Sequence, residues 1–585
     1  MRRFTFRPRL LECLRSDYRT TDFLRDCAAG VTVGVVALPL AMAFAIASGV
    51  SPEAGVWTSI IAGFLIAALG GSRVQIGGPT GAYIVVVYGI VARYGVANLA
   101  ICTVVAGVLL FVLGFLRLGA LIQYVPISVV IGFTNGIAVL ILLSQVHDLI
   151  GLHISLPDEF FARVRTLLGS ITDADLTSVV VGSLCLIALL SWPKRIPTTG
   201  AVLEQSTQTP GATLSSATAA APPRVNSRAG WIAALPGPVI VLIASAFACA
   251  VLDLRVETIG SRFGGVPQGL PNFVLPAINV STLRDLIAPI IAIALLGAIE
   301  SLLSARVADS MIRDRHDPNQ ELMAQGIANV IAPLAGGIPA TGAIARTATN
   351  VRTGGRTPIA GIVHALTLLI IVLVAAPWAR FIPLPTLAAI LVVVAINMAD
   401  WHAFRDLRRY SIPYGAVLLT TFVLTVAFDL STAVEVGLIL SCLFFIYRIS
   451  DLTEVEALEQ HGDIATFRVF GALFFGSVGK LAPLFDPGLP CNVVLDMAQV
   501  ISMDNTAVAS LEDLHRSLTD RGGRLLLCGL NRHPRAQLLR SPVFSGAAAR
   551  AIRNSFEEAV MEMQSRERDV DGHHTPAKGS TTASR

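Results

Sequence analysis

Apolar runs of about 17 to 25 residues, long enough to cross a bilayer, recur along this 585-residue chain as far as residue 449. Inside lipid a backbone finds no water, so each such run is a helix or a strand of a closed barrel, and runs of this length are helices. They read as 28–49, 53–70, 79–93, 97–116, 122–145, 174–192 and 234–251. A second set follows at 285–307, 319–335, 342–352, 357–376, 382–398, 411–428 and 431–449. Seven plus seven places both ends of the array on one side, and because seven is odd the second set is inverted relative to the first. The positive-inside rule checks the count independently. Lys194, Arg195, Arg313, Arg315, Arg352, Arg356, Arg405, Arg408, Arg409 and Arg448 fall on the side of the arginine-rich N-terminus, against Arg163, Arg165, Arg255 and Arg262 on the other. Only 14% of residues are charged, where a soluble protein carries about a quarter.

Two of these runs are interrupted in a related way. Gly77-Gly-Pro-Thr-Gly-Ala82 lies in the first set, and Gly336-Gly-Ile-Pro-Ala-Thr-Gly-Ala-Ile-Ala-Arg346 lies about 260 residues later in the second. In each, glycine and proline break the backbone before residues suited to start a helix, so the chain is expected to run extended and turn helical near Thr80 and Thr341. Irregular backbone at membrane depth is tolerated only where protein or a water-filled cavity satisfies it, so paired breaks mark a binding site. Two helix starts with free N–H groups favour an anion.

The remainder is quickly placed. Residues 1–27 mix basic and acidic side chains, lack the apolar core of a cleaved signal, and read as a cytoplasmic lead-in to a transmembrane domain over 28–450. The Ser/Thr/Ala/Pro/Gln-rich insert 198–228 cannot bury enough apolar surface to order and reads as a disordered cytoplasmic loop. From 453 to 565 strand and helix patterns alternate: Thr466–Phe475, Val493–Asp496 and Arg524–Cys528 as strands, Thr506–Ser517 and Ala548–Met561 as helices, giving a small soluble α/β domain. Residues 566–585 read as a polar, disordered tail. Eight cysteines without a Cys-x-x-Cys pair imply neither a disulfide framework nor a zinc site. No catalytic triad or paired carboxylate suggests an enzyme, no cofactor is expected beyond a coupling ion, and a net charge of +4 gives no reason to expect a nucleic-acid partner.

With these features in place the chain resembles the sulfate permease (SulP) family of anion transporters, the superfamily of prestin and pendrin. The resemblance is carried by Ala28-Ala-Gly-Val-Thr-Val-Gly-Val-Val-Ala-Leu-Pro39, Gly70-Gly-Ser-Arg-Val-Gln-Ile-Gly-Gly-Pro-Thr80, Gly297-Ala-Ile-Glu-Ser-Leu-Leu-Ser304 and Asn350-Val-Arg-Thr-Gly-Gly-Arg356. The C-terminal part resembles a STAS domain, with Asn505 where anti-sigma antagonists carry a regulatory serine. Ala-Ile-Ala-Arg-x-Ala-x-Asn-Val-Arg, residues 343–352, is similar to the bacterial dicarboxylate-transporting branch. The resemblance implies core and gate domains, a homodimer, a bacterial inner-membrane location with both termini cytoplasmic, and a cytoplasmic protein partner for the STAS domain. It implies that the anion meets the backbone near Thr80, Gly81 and Ala82 and near Ala343, Ile344 and Ala345, with Phe44 lining the pocket. Leu40 stands where many members have a polar residue after the proline of the first span, which removes a hydrogen bond available to them.

Two charged residues then matter most. Glu300 sits in the apolar run 290–303, where an ionised carboxylate is costly and intramembrane acids face transport paths. Ser304 lies one turn on, on the same face. The pair resembles the positions that hold Na⁺ in bicarbonate-transporting relatives; on physical grounds alone Glu300 could equally carry a proton, or hold helices together. Arg346 adds a full charge at the second break, by touching the anion, by shaping the potential, or as an ion-pair partner of Glu300. His364 reads as a packed or hydrogen-bonded histidine, and Asp429 and Glu435 as hydrated residues at the outer face. The function expected is a secondary active symporter, coupled to H⁺ or Na⁺, for a small oxyanion or dicarboxylate such as sulfate, fumarate, succinate or bicarbonate. A membrane-anchored STAS signalling scaffold and a nucleobase carrier of the same architecture are the alternatives.

Overall fold

The computed structural model describes residues 6–15, 18–120, 125–152, 154, 157, 159–192, 237–265, 271, 273, 280–428, 430–458, 460, 462–545 and 551–571. They fall into two compact units, Met1–Leu438 and Ile439–Arg585. The insert 198–228 and Asp429 lie outside the described residues.

The membrane helices follow the expected order. Among the described residues seven helices are long and apolar enough to cross a bilayer, and four shorter apolar ones accompany them. We label them α1 (Arg9–Arg15), α2 (Thr20–Ala47), α3 (Pro52–Leu69), α4 (Tyr83–Phe115), α5 (Ile127–Leu149), α6 (Phe160–Gly169), α7 (Leu176–Ser191), α8 (Gly237–Val251) and α9 (Ile259–Phe263). The second half supplies α10 (Ile287–Ile312), α11 (Pro318–Leu334), α12 (Ile344–Thr353), α13 (Ile359–Ala379), α14 (Leu384–Met398), α15 (Ile412–Ala427) and α16 (Leu430–Asp451). Helix α4 carries two expected spans in one element, divided where Gly95 leaves helical geometry at φ 82°. With α11 and the ten-residue α12, the seven-plus-seven array is complete.

The first membrane span, α2, begins at Thr20, before the apolar run, and so takes in residues expected to lead into the membrane from the cytoplasm. Asp26 explains why. Its buried carboxylate accepts hydrogen bonds from the Tyr18 hydroxyl (2.9 Å), the Arg356 and Thr357 amides (2.7 and 3.2 Å) and the Thr357 hydroxyl. A charge satisfied this fully is tolerated inside a helix bundle. On the same side, Arg9 donates its amide to Gly70 O (3.0 Å) and its guanidinium to Arg315 O (2.9 Å), so the N-terminal segment is fastened to the ends of α3 and α10.

The second unit is a five-stranded sheet, β3 (Glu454–Ala457), β4 (Ile464–Leu473), β5 (Asn492–Met503), β6 (Arg524–Cys528) and β7 (Ile552–Arg553), in that spatial order, with only β3 antiparallel. Inward-facing Val469, Leu495, Met497 and Leu527 pack against Leu511 and Leu514 of α17 (Asn505–Asp520). The helix expected over 548–561 instead starts at Phe556 as α18 (Phe556–Asp571), because Ile552 and Arg553 extend the sheet first. It also runs into the expected tail as far as Asp571. The eight cysteines are all free thiols; in this unit burial pushes the Cys528 thiol up to about 12, which keeps it unreactive.

Candidate functional site

The two interrupted segments meet. Gly77–Gly78 (β1) pairs antiparallel with Thr341–Gly342 (β2), Gly77 opposite Gly342 and Gly78 opposite Thr341. Ala343 N–H extends the pairing to Ile76 O at 2.8 Å. The helices begin at Tyr83 and Ile344, three residues after the expected starts at Thr80 and Thr341: the ladder holds Thr341 and Gly342 extended, and on the first segment a turn from Thr80, closed by Tyr83 N–H to Thr80 O at 3.2 Å, precedes the helix.

Buried extended backbone needs partners, and polar side chains on otherwise apolar helices provide them. Ahead of the first break, Glu321 of α11 accepts from the Gly71 and Ser72 amides (2.9 and 3.2 Å). Asn350 of α12 donates to Val74 O (2.8 Å), and the Thr347 hydroxyl accepts from Ile76 N–H (3.0 Å). Ahead of the second, Thr58 of α3 accepts from Ile338 N–H (2.7 Å) and Asn329 of α11 makes a reciprocal pair with Ala340 (2.8 Å each way). Ser301 of α10 accepts from Gly342 N–H (3.2 Å) and lies 2.9 Å from the Thr341 hydroxyl. Ser301 and Asn350 lie in stretches that carry the family resemblance, but none of these residues is expected from the sequence to frame the breaks. Glu321, Gln325 and Asn329, polar at every fourth position of a membrane span, were the available signal.

At the helix starts no described hydrogen bond uses the N–H groups of Thr80, Gly81 and Ala82, or of Ile344, Ala345 and Arg346. Ala343, expected beside them, has already donated its amide to the ladder. The Thr80 hydroxyl donates to Glu300 Oε2 at 2.8 Å, joining the first break to the acid on α10. Ser304 is fully buried and its hydroxyl donates to Thr347 Oγ1 at 3.4 Å. Arg346 is 4% exposed. Its guanidinium reaches back across the first break, donating to Pro79 O (3.0 Å) and Ser59 Oγ (3.5 Å). No ion pair between Arg346 and Glu300 occurs among the described residues; one guanidinium nitrogen is occupied by a carbonyl and another by a hydroxyl. Gly78 makes room for this reach. Its φ is +150°, and a Cβ there would come within 2.5 Å of Arg346 Nη1.

Phe44 is buried and stands beside Gly81, where an added Cβ would lie 3.7 Å from its Cε1, 3.5 Å from Ile141 Cδ1 and 3.4 Å from Met398 Sδ. Ile141 and Met398 are additions from α5 and α14. His364 is fully buried, and among the described residues neither ring nitrogen has a hydrogen-bond partner, so it is packed there without being hydrogen-bonded. On the side away from the N-terminus a cavity of about 970 Å³ opens between α4 and α5, with Arg93, His147, Asp148 and Asp285 on its wall. Glu435 lines it too.

A helical membrane protein in which two helix starts and a buried arginine converge opposite an intramembrane acid is a carrier for negatively charged solutes. Comparison with known proteins names the group. The sulfate permease family profile matches residues 23–421 and the STAS domain profile residues 457–559. YvdB of Bacillus subtilis, provisionally named a sulfate transporter, is 38% identical over 539 residues, 90% of this chain and 95% of its own. The bicarbonate transporter BicA of Picosynechococcus is 29% identical, covering 92% of this chain and 94% of its own. The murine Slc26a9 anion transporter structure shares the fold, with a TM-score of 0.80 at 17% identity over 95% of this chain and 94% of its own. This chain belongs to the sulfate permease family: it is a multi-pass membrane anion transporter carrying a STAS domain, not an enzyme.

Proposed function

We propose that this transporter is a secondary active symporter that carries a small oxyanion or dicarboxylate together with a proton or a sodium ion. The observation that carries the reading is the hydrogen bond from Thr80 to Glu300, which ties the acid to a helix start meant for the anion. Two helix starts supply about one positive charge together. Arg346 adds another, and an ionised Glu300 subtracts one. A dianion is then fully balanced only when Glu300 is neutralised, and that requirement is coupling. The anion would meet the amides of Thr80, Gly81 and Ala82 and of Ile344 and Ala345, beneath the Phe44 ring, within the field of Arg346.

The Ser304 hydroxyl donates to Thr347 Oγ1 and keeps its oxygen lone pairs, so a proton on Glu300 and a sodium ion beside it are both compatible with the arrangement and are separated by the gradients imposed. Among substrates, the relatives' names bring sulfate and bicarbonate. The wall of Phe44, Ile141 and Met398, with Leu40 nearby in sequence, favours a dicarboxylate such as succinate or fumarate. A carbon skeleton loses nothing against such a wall, whereas sulfate oxygens facing it would go unsatisfied. We place the chain in a bacterial inner membrane with both termini cytoplasmic, as a homodimer whose STAS domain meets a cytoplasmic protein.

The test is uptake in reconstituted vesicles over a panel of anions, with proton and sodium gradients imposed separately. Wild type should concentrate a dianion when a proton gradient is imposed, and Glu300→Gln should transport downhill without proton movement. Unchanged proton coupling in Glu300→Gln would sink the assignment, and a response to sodium alone would move the coupling ion to Na⁺.

A further inference from the structure

A groove of about 640 Å³ with an almost wholly apolar wall lies between α8 on one side and α2 and α13 on the other. Leu38, Pro39 and Met42 form one face. The other follows α8 from Val239 to Ala250, a rise of about 17 Å at 1.5 Å per residue. That is close to half of the roughly 30 Å hydrocarbon layer, the depth of one leaflet. The ends are unlike. At one, Trp378 and Phe381 line the mouth, Trp378 64% exposed, and between them in sequence the exposed Arg380 holds its guanidinium 4.6 Å from the Phe381 ring centroid. Tryptophan settles at headgroup depth, and a guanidinium there matches a phosphate. The other end is lined by aliphatic side chains such as Val35 and Val239. The mouth lies at the end of α13 away from the N-terminal side, since α13 starts beside Asp26.

We infer that the groove is a binding site for one acyl chain of an anionic phospholipid, with its phosphate at Arg380, in the leaflet opposite the N-terminal side. The depth fits one chain, the lining offers nothing to a polar ligand, and Arg380 puts a cation at the mouth, where the nearby Glu257 already has Arg262 at 3.9 Å. The site is independent of the substrate reading, but it touches the same helix: Met42 faces the groove and Phe44, two residues on, faces the candidate anion site. A seated chain therefore fixes the distance between α8 and the helix that walls the substrate.

The experiment uses the full-length protein in vesicles containing phosphatidylglycerol with a photoreactive diazirine near the tail end, followed by mapping of labelled peptides. Labels concentrated on α8 and on 35–42 and 371–376 support the site; labels spread evenly over the lipid-facing helices overturn it. Ala246→Trp fills the groove and should abolish that concentrated labelling. Arg380→Ala, at an exposed position that leaves folding alone, should weaken phosphatidylglycerol labelling about fivefold, the value of roughly one basic residue near a membrane surface, and leave phosphatidylcholine labelling unchanged. Equal phosphatidylglycerol labelling in Arg380→Ala removes the headgroup assignment and with it the proposal, even if Ala246→Trp fails to fold.

Discussion

The two interrupted segments share a sequence pattern and a backbone shape, yet the molecule treats them differently. The second is clamped: Thr58, Asn329 and Ser301 hold the chain from Ile338 to Gly342, and Ala343 is tied to Ile76. The first is held in the same way ahead of its break, by Glu321, Asn350 and Thr347, and past the ladder the amides of both are free of described hydrogen bonds. What sets the first apart is the side chains that reach it: the Thr80 hydroxyl leads to the acid, Glu300. Arg346 belongs to the second copy but spends its guanidinium on the first, at Pro79. Both copies are framed ahead of the break and both helix starts keep free amides, but only the first is wired to the acid and to the arginine, so a repeat in sequence does not imply a repeat in role.

The contrast can be broken at four points. Arg346→Ala should have the largest effect: it removes a buried charge and leaves the Pro79 carbonyl without its donor, for a loss of anion uptake of about a hundredfold, near 3 kcal/mol for a charged hydrogen bond. Arg346→Lys keeps charge without the two-pronged reach and should recover only part of the uptake. An Arg346→Ala protein with normal KM would show that the arginine does not serve the site. Next is Gly78→Ala, which forces a side chain into a glycine conformation against Arg346 Nη1. Strain of about 1–3 kcal/mol should displace the guanidinium and cut uptake tenfold or more, and loss of that effect in an Arg346→Ala background would tie the two together. Ser301→Ala removes an acceptor from the clamp and should cost about 1–3 kcal/mol of stability, read as a lowered melting temperature in detergent, with substrate KM unchanged. A changed KM with full stability would reverse the frame assignment. Thr80→Val is the smallest. It should alter the pH dependence of uptake by no more than severalfold in rate, since one hydrogen bond to Glu300 is lost, and melting should stay put.

The sequence made much of this legible. Span order, the broken segments and the strand at Arg524–Cys528 followed from local signals: run length, glycine next to proline, and alternation. The misplaced features were non-local. The second helix start shifted because the residues that hold Thr341 and Gly342 extended are about 260 positions away. The geometry of Arg346 was hidden for the same reason: opposite charges in one membrane core suggest an ion pair with Glu300, but a carbonyl freed by the first break lay within reach. The burial of Asp26 within α2 depended on Thr357, far along the chain, whose hydroxyl and amide donate to its carboxylate.

The two-residue ladder between β1 and β2 has a mechanical corollary. Sliding one helix start past the other would rupture main-chain bonds at a depth where no solvent can replace them, so that route is closed. Whatever exposes the bound solute first to one compartment and then to the other has to transport the crossed pair whole, as a rigid cradle, past helices such as those bearing Ile141 and Met398.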